Sequence, residues 1–248
     1  MKDASAVQGM ISLYPLVVEI LACLKGFVLY IIPCVLILLL IKLTEVPQFI
    51  FRKLLHLVAF TCVIVMLLGA EHWYSVSAAS LLIAGVIYPI LALLENRSWF
   101  AKLFVEKRPG EIKRSLILLF ATFAGLAAVG WGLFGEPMIT AAAILMWGVG
   151  DAAAALVGIP FGRHKVRLKL ADGKKSWEGT ISMAVVSLVC GTAFLIFHAS
   201  TSMVSALSVC ALGAAAGAAT ELFSPSEWDT VSVPAVILVV LLLSHLAM

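Results

Sequence analysis

The chain has few charged residues and no polar segment long enough to fold by itself. Charged residues make up 12% of its 248 residues and apolar residues 62%, whereas soluble domains average about 25% charged and about 45–50% apolar residues. The longest polar stretch, residues 95–114, is too short to bury a core of its own. These shortages exclude a soluble globular protein and predict one integral membrane domain over residues 1–248.

Cysteine is scarce as well, with five copies in the chain. All five lie in apolar stretches without paired spacing: Cys23, Cys34, Cys62, Cys190 and Cys210. An odd number of unpaired cysteines argues against a disulfide framework or a zinc site. We therefore interpret them as small packing residues.

Long apolar runs predict the fold. A membrane-spanning helix needs about 20 mostly apolar residues. Eight runs approach that length: 27–41, 54–69, 76–94, 115–134, 138–160, 177–197, 203–221 and 231–246. The short apolar stretch 10–24, which carries Glu19, could add a ninth span, a re-entrant segment or an interfacial helix. The sequence thus predicts an all-α, polytopic membrane helix bundle with about eight spans.

Basic residues alternate between successive linkers. Three linkers hold 15 of the 17 lysines and arginines: 42–53, 95–114 and 161–175. The linkers between them hold none: 70–75, 135–137 and 198–202. Because lysine and arginine concentrate on the cytoplasmic side of membrane proteins, we expect the basic linkers and residues 222–230 to be cytoplasmic.

Asp151 lies within an apolar run, toward its predicted cytoplasmic end. A charged side chain inside the bilayer costs about 2.5–3.5 kcal/mol on the insertion scale, so such residues are usually paired and functional. The neighbouring Gly148 and Gly150 allow another backbone or a ligand to approach closely. Asp151 could bind magnesium or take the proton of a lipid hydroxyl; a salt bridge to an arginine at a helix end is the structural alternative.

A basic loop separates the run of Asp151 from the next one. Its cationic and histidine side chains are Arg163, His164, Lys165, Arg167, Lys169, Lys174 and Lys175. Ser176 can cap the following helix, whose N-terminus offers free N–H groups to an anion. Leu168 occupies the place of the first glycine of a Walker A loop, so that motif is excluded. We interpret the loop as a phosphate cradle; the alternative is a topology determinant that contacts anionic lipid headgroups.

Further polar residues are predicted to lie at the cytoplasmic face of the membrane. Glu178 begins the helix after the basic loop, and Glu221 and Asp229 flank an acidic linker. His56 follows the two cations Arg52 and Lys53, which we interpret as side chains extending toward the membrane surface. Carboxylates that face cations at a membrane surface suit a metal-bound polyphosphate. The pattern favours an enzyme that acts on a nucleotide and a lipid.

Five segments and Glu221 follow one another along the chain: Arg-Lys-x-x-His (52–56), Gly-Asp-x-x-Ala (150–154), Gly-x-x-x-Gly-Arg-His-Lys (158–165), Lys-Lys-Ser-Trp-Glu-Gly-Thr (174–180), Glu221 and Asp-Thr-Val-Ser-Val-Pro (229–234). In this order, they resemble the polyprenol kinase family of CTP-dependent membrane lipid kinases, which includes kinases of dolichol, phytol and diacylglycerol. The middle segments are shared with phosphatidate cytidylyltransferase and identify only the superfamily. The first and last segments favour the kinase branch, although Thr230 stands where those kinases usually have asparagine.

The resemblance implies transfer of the γ-phosphoryl group of CTP to a membrane lipid alcohol at the cytoplasmic face of a cell inner membrane or the endoplasmic reticulum. The alcohol would be a polyprenol, an isoprenoid alcohol of the phytol or farnesol type, or diacylglycerol. Catalytic roles fall to Asp151, Glu178 and His56, and Mg²⁺ ligation to Asp151, Glu221 and Asp229. Nucleotide contacts fall to Arg163, His164, Lys165, Lys174, Lys175 and Ser176.

Two other functions compete with this prediction. A cytidylyltransferase that makes a CDP-lipid is the alternative enzyme. A transporter is the alternative that is not an enzyme, and it predicts broken helices in matching halves of the chain; the sequence shows no such repeat.

We expect no nucleic-acid partner. Gly213 and Gly217 have the spacing of close helix packing, which could serve the bundle itself or a homodimer.

Overall fold

The computed structural model describes residues 2–44, 46–95, 97, 110–166, 175–225 and 228–247. These residues form eight long helices: α1 (Lys2–Lys42), α2 (Gln48–Gly69), α3 (Trp73–Leu94), α4 (Glu111–Leu126), α5 (Pro137–Phe161), α6 (Trp177–Ala199), α7 (Met203–Phe223) and α8 (Asp229–Leu246). A π-helical stretch, Ala127–Leu133, continues α4. Eight segments are long and apolar enough to cross a membrane. The predicted all-α bundle with eight spans is confirmed.

The apolar stretch 10–24 lies inside α1, which continues without interruption to Lys42. The corresponding candidate span begins at Tyr14. The stretch is therefore part of the first helix and does not add a ninth span.

Aromatic rings join α2, α4 and α5 in the middle of the core. The ring of Phe60 meets the rings of Phe123 and Trp147 edge to face, at centroid distances of 5.3 and 4.4 Å. All three side chains are buried. Edge-to-face contact is a favourable geometry for aromatic pairs, so these rings fix α5 in the centre of the bundle.

Small residues allow α5 and α6 to pack closely. Ser187 Oγ donates a hydrogen bond to the carbonyl oxygen of Met146 at 2.7 Å. Ser182 Oγ donates to the carbonyl oxygen of Ala153 at 3.3 Å. Hydroxyl bonds and small residues are the usual means of holding helices together where lipid surrounds them. They align the two helices on either side of Asp151.

Gly213 and Gly217 of α7 face α8 of the same chain. A methyl group on Gly213 would lie 2.7 Å from Leu241, and one on Gly217 would lie 2.6 Å from Ile237. Both distances are too short for ordinary contacts, so the glycines are needed for helix packing inside the bundle. Of the two uses that the sequence left open, the structure shows internal packing; a homodimer stays a prediction.

Several helix termini meet at one end of the bundle, where the basic linkers attach. After α5 ends, the chain returns to α6 through two backbone hydrogen bonds, from Val166 N to Lys175 O and from Trp177 N to His164 O, at 3.0 and 3.1 Å. The start of α2, the end of α7 and the start of α8 lie at the same end, because residues of all of them line one cavity there.

Candidate active site

A cavity of about 860 Å³ lies at this end of the bundle. Small-molecule sites usually enclose about 300–1,000 Å³, so it can hold a nucleotide-sized ligand. The polar side chains that line it are Gln48, Arg52, Lys53, His56, Asp151, Lys165, Lys175, Ser176, Thr180, Glu221 and Asp229. The apolar part of the wall comes from Phe49, Ala154, Ala155, Gly158, Ile159 and Gly179.

Asp151 forms an ion pair with a lysine from α2. Lys53 Nζ donates a hydrogen bond to Asp151 Oδ2 at 2.6 Å. The two side chains are 21% and 29% exposed, so the pair is largely shielded from solvent. The sequence suggests an arginine as the structural partner of Asp151 and predicts that Lys53 extends toward the membrane surface. Instead, Lys53 turns into the cavity and balances the charge of Asp151.

Lys175 connects the start of α6 to the end of α7. Its Nζ lies 3.1 Å from Glu221 Oε1. It also donates to the backbone carbonyl oxygens of Glu221 and of Ser224, the latter at 3.0 Å. A cation at the C-terminus of a helix satisfies carbonyl groups that have no partner within the helix. Lys175 therefore orders the cavity wall while it presents positive charge to the cavity.

Ser176 caps α6, as the sequence predicts. Its Oγ accepts a hydrogen bond from Gly179 N at 3.3 Å, and its side chain is buried. A methyl group on Gly179 would lie 2.9 Å from the carbonyl oxygen of Ala154 and 3.3 Å from Gly158 Cα. The glycines thus bring the backbones of α5 and α6 into contact beside the cap. This contact sets the width of the cavity on that side.

Glu178 binds the basic loop and is not among the residues that line the cavity. Its Oε1 lies 2.7 Å from His164 Nδ1 and accepts hydrogen bonds from Arg163 N and His164 N at 3.2 and 3.1 Å. This geometry holds the start of the loop against α6. Arg163 and His164 do not line the cavity either. A catalytic role for Glu178 and nucleotide contacts from these two residues stay predictions.

The three acids predicted to bind metal line the same cavity: Asp151 from α5, Glu221 from α7 and Asp229 from α8. Within the described ranges, no three Asp, Glu, His or Cys side chains are grouped tightly enough to hold a metal ion by themselves. Mg²⁺ is normally held by one or two carboxylates together with phosphate oxygens and water. This set of carboxylates fits such a shared site, and Mg²⁺ stays a prediction.

The cavity brings together most of the residues nominated from the sequence. They are His56, Asp151, Lys165, Lys175, Ser176, Glu221 and Asp229. Lys174 lies outside the described residues. Sequence reasoning missed Gln48, Phe49 and Lys53. Helical spacing could have indicated these residues. Gln48, Arg52 and His56 follow one another at intervals of four, and Lys53 precedes His56 by three. These spacings place the four side chains on one side of α2.

The fold and this cavity define a class of protein: a multi-pass helical membrane protein with a charged, nucleotide-sized cavity at one end of its bundle. The chain is 31% identical to a phytol kinase of Synechocystis sp., over 79% of each chain. The chain belongs to the phytol kinase family, as the resemblance of its motifs predicted. No family model and no solved structure matches it.

Proposed function

We propose that this protein transfers the γ-phosphoryl group of CTP to the hydroxyl group of a membrane lipid alcohol. One observation carries the proposal: three carboxylates and three lysines line the same cavity at one end of the bundle. The relative from Synechocystis is a phytol kinase, which supports an isoprenoid alcohol of the phytol or farnesol type as substrate. A polyprenol, which is also an isoprenoid alcohol, and diacylglycerol, a glycerolipid with a free hydroxyl group, are the other candidate substrates.

Phosphoryl transfer depends mainly on positioning and on neutralising the charge of the phosphates. Lys165 and Lys175 line the cavity and supply positive charge to the triphosphate. Glu221 and Asp229 are the residues that would hold Mg²⁺, which would neutralise further charge on the phosphate oxygens. Nucleotide contacts from Arg163, His164 and Lys174 stay predictions from the sequence, and neither Arg163 nor His164 lines the cavity.

Asp151 is the group that we assign to the hydroxyl proton. Lys53 bonds one of its carboxylate oxygens, Oδ2, and fixes the orientation of the carboxylate. The other oxygen, Oδ1, accepts the proton as the alcohol oxygen bonds to the γ-phosphorus and the β–γ bridging oxygen leaves with CDP. A positioned base of this kind contributes about 10²–10⁴-fold to a rate. His56, from the same wall of the cavity, orients the alcohol or a phosphate oxygen.

We infer that the alcohol enters sideways from the bilayer while the nucleotide enters from the cytoplasm. Ala154, Ala155 and Ile159 form an apolar strip along α5 within the cavity wall. Ile159 is 57% exposed. The basic linkers attach at this end, and lysine-rich linkers are typical of the cytoplasmic side. The hydroxyl of a membrane lipid and a soluble nucleotide can therefore meet at headgroup level.

The test uses purified protein in lipid nanodiscs, with CTP labelled at either the α- or the γ-phosphorus. Phytol, farnesol, a polyprenol and diacylglycerol are supplied in separate reactions, phosphatidate is supplied in a further one as the acceptor of a cytidylyltransferase, and ATP replaces CTP in a parallel series. We expect label in the lipid product only from γ-labelled CTP. Label from α-labelled CTP would identify a cytidylyltransferase instead. Absence of labelled lipid with every alcohol and both donors would contradict the proposal.

A further inference from the structure

We propose that Gln48 and Phe49, the first two residues of α2, form the subsite that binds the base of the nucleotide. This inference rests on the proposed function, because it assumes that the cavity takes a nucleoside triphosphate. Both residues line the cavity that contains Lys53 and Asp151. Neither has been given a role in the chemistry so far.

Phe49 is not needed by the hydrophobic core. The buried rings of α2 are Phe51, which lies 5.1 Å from Lys42 Nζ, and Phe60, which packs against Trp147. Phe49 is only partly buried and does not belong to the core cluster. Phe49 instead lines the cavity. An aromatic ring in that position is suited to stacking on a flat ligand, and every nucleobase has a flat face.

Gln48 offers the hydrogen-bonding groups that an aromatic ring lacks. Its amide carries an acceptor oxygen and two donor hydrogens, which can pair with the donors and acceptors along the edge of a base. Among the residues that the structure describes, the Gln48 side chain has no hydrogen-bond partner. The amide is exposed at the cavity and available to a ligand. Side by side, Phe49 and Gln48 supply stacking and edge recognition.

The register of α2 places this pair at the correct distance from the phosphate site. With a rise of about 1.5 Å per residue, Gln48 lies about 7–8 Å along the helix axis from Lys53 and about 12 Å from His56. This length matches the distance between the base and the outer phosphates of a nucleoside triphosphate, in which the ribose and the inner phosphates lie between them. The base would then lie at the outer end of the cavity, with the γ-phosphate beside Asp151.

The charges in the cavity support the same orientation. The side chains of Lys53, Asp151 and Glu221 are only 21%, 29% and 14% exposed, whereas Gln48 is exposed. Gln48 and Phe49 are uncharged and lie at the beginning of α2. A neutral, partly aromatic wall suits a base better than it suits a phosphate group. A lipid tail is the alternative ligand of Phe49, and kinetic measurements distinguish a bound tail from a bound base.

The experiment compares the selectivity of Gln48→Ala and Phe49→Ala with that of the wild-type protein in nanodiscs. Initial rates are measured with CTP, UTP, ATP and GTP at saturating phytol, and then with varied phytol at saturating CTP. We expect Gln48→Ala to reduce the preference for the best nucleotide by about tenfold or more, as loss of a good base-edge contact does. Phe49→Ala should raise the KM for every nucleotide, and Phe49→Trp should restore it.

Leu43→Ala is the matched control, because Leu43 is 78% exposed, lies just before α2 and does not line the cavity. It should keep wild-type kinetics. Unchanged nucleotide KM values and ratios in both Gln48→Ala and Phe49→Ala would overturn the inference. A change confined to the KM for phytol would also overturn it, since Phe49 would then contact the tail.

A binding measurement separates failure of the inference from failure of the proposed function. Calorimetry with a non-hydrolysable CTP analogue and no alcohol measures nucleotide affinity directly. Weaker binding by Phe49→Ala, with Leu43→Ala unchanged, supports the base subsite even where no alcohol accepts phosphate. Wild-type protein that binds the analogue no more tightly than Phe49→Ala does would overturn it. A melting curve and a size-exclusion profile confirm that each variant is folded.

Discussion

Lys53 Nζ lies 2.6 Å from Asp151 Oδ2, although the two residues are 98 positions apart in the chain. The pair joins α2 to α5 and sets the orientation of the carboxylate at the centre of the cavity. Because the pair is largely shielded from water, removal of either charge leaves the other without a partner in a poorly solvated position. The stability of the bundle and the chemistry of the cavity therefore depend on the same contact.

Replacing Lys53 with methionine should destabilise the protein more than replacing both members of the pair. Removal of one partner of a buried ion pair costs about 3–5 kcal/mol, and the partial exposure of Lys53 and Asp151 reduces that cost. The double variant Lys53→Met/Asp151→Asn has no unpaired charge, so its melting temperature should lie closer to that of wild type. The melting temperatures of wild type, the two single variants and the double variant are compared in one detergent. Additive losses in the double variant would show that the two residues are not coupled.

Removing the Ser176 cap should reduce activity as well as stability. Loss of an N-cap costs about 0.5–2 kcal/mol, and Ser176 caps α6 at the edge of the cavity. Ser202 caps α7 in the same way, by accepting a hydrogen bond from Ser205 N at 3.2 Å, and does not line the cavity. Ser176→Ala and Ser202→Ala should therefore lose similar stability, while only Ser176→Ala raises the KM for the nucleotide. Equal kinetics in the two variants would contradict this role.

Glu178→Gln tests whether Glu178 acts on the reaction or on the basic loop. Its carboxylate holds His164 Nδ1 and two backbone N–H groups, so the variant should loosen the loop and raise the KM for the nucleotide several-fold. The kcat at saturating nucleotide should change little. A fall in kcat of about 100-fold or more with an unchanged KM would instead assign Glu178 to catalysis.

Gly179→Ala should impair the enzyme because the contact between α5 and α6 leaves no room for a methyl group. The new Cβ would lie 2.9 Å from the carbonyl oxygen of Ala154, so the helices must separate. Gly125→Ala in α4 is the control, since a methyl group there meets nothing within 4 Å. We expect Gly179→Ala to lower kcat/KM and the melting temperature, with Gly125→Ala close to wild type. A fully active Gly179→Ala protein would show that this close approach is dispensable.

The fold could be predicted from the sequence because eight apolar runs of membrane-spanning length leave little choice of architecture. The alternation of basic linkers predicts that Asp151, Glu221 and Asp229 lie toward the same membrane face, and all three line one cavity in the structure. Lys53 could not be predicted in the same way, because a lysine near a helix end usually extends to the membrane surface. Only the packing of α2 against α5 shows that it faces inward. The contacts of Glu178 with Arg163 and His164 could not be predicted either, because residues of a loop form no periodic pattern.

The most direct measurement is the initial rate at which wild-type protein and Asp151→Asn move label from γ-labelled CTP to phytol in nanodiscs. The asparagine keeps the size of the side chain and can still accept a hydrogen bond from Lys53, but it cannot take the hydroxyl proton. We expect γ-label in the lipid with wild type and a rate lower by about 100-fold or more with Asp151→Asn. A folded Asp151→Asn protein that works at the wild-type rate would contradict this role of Asp151.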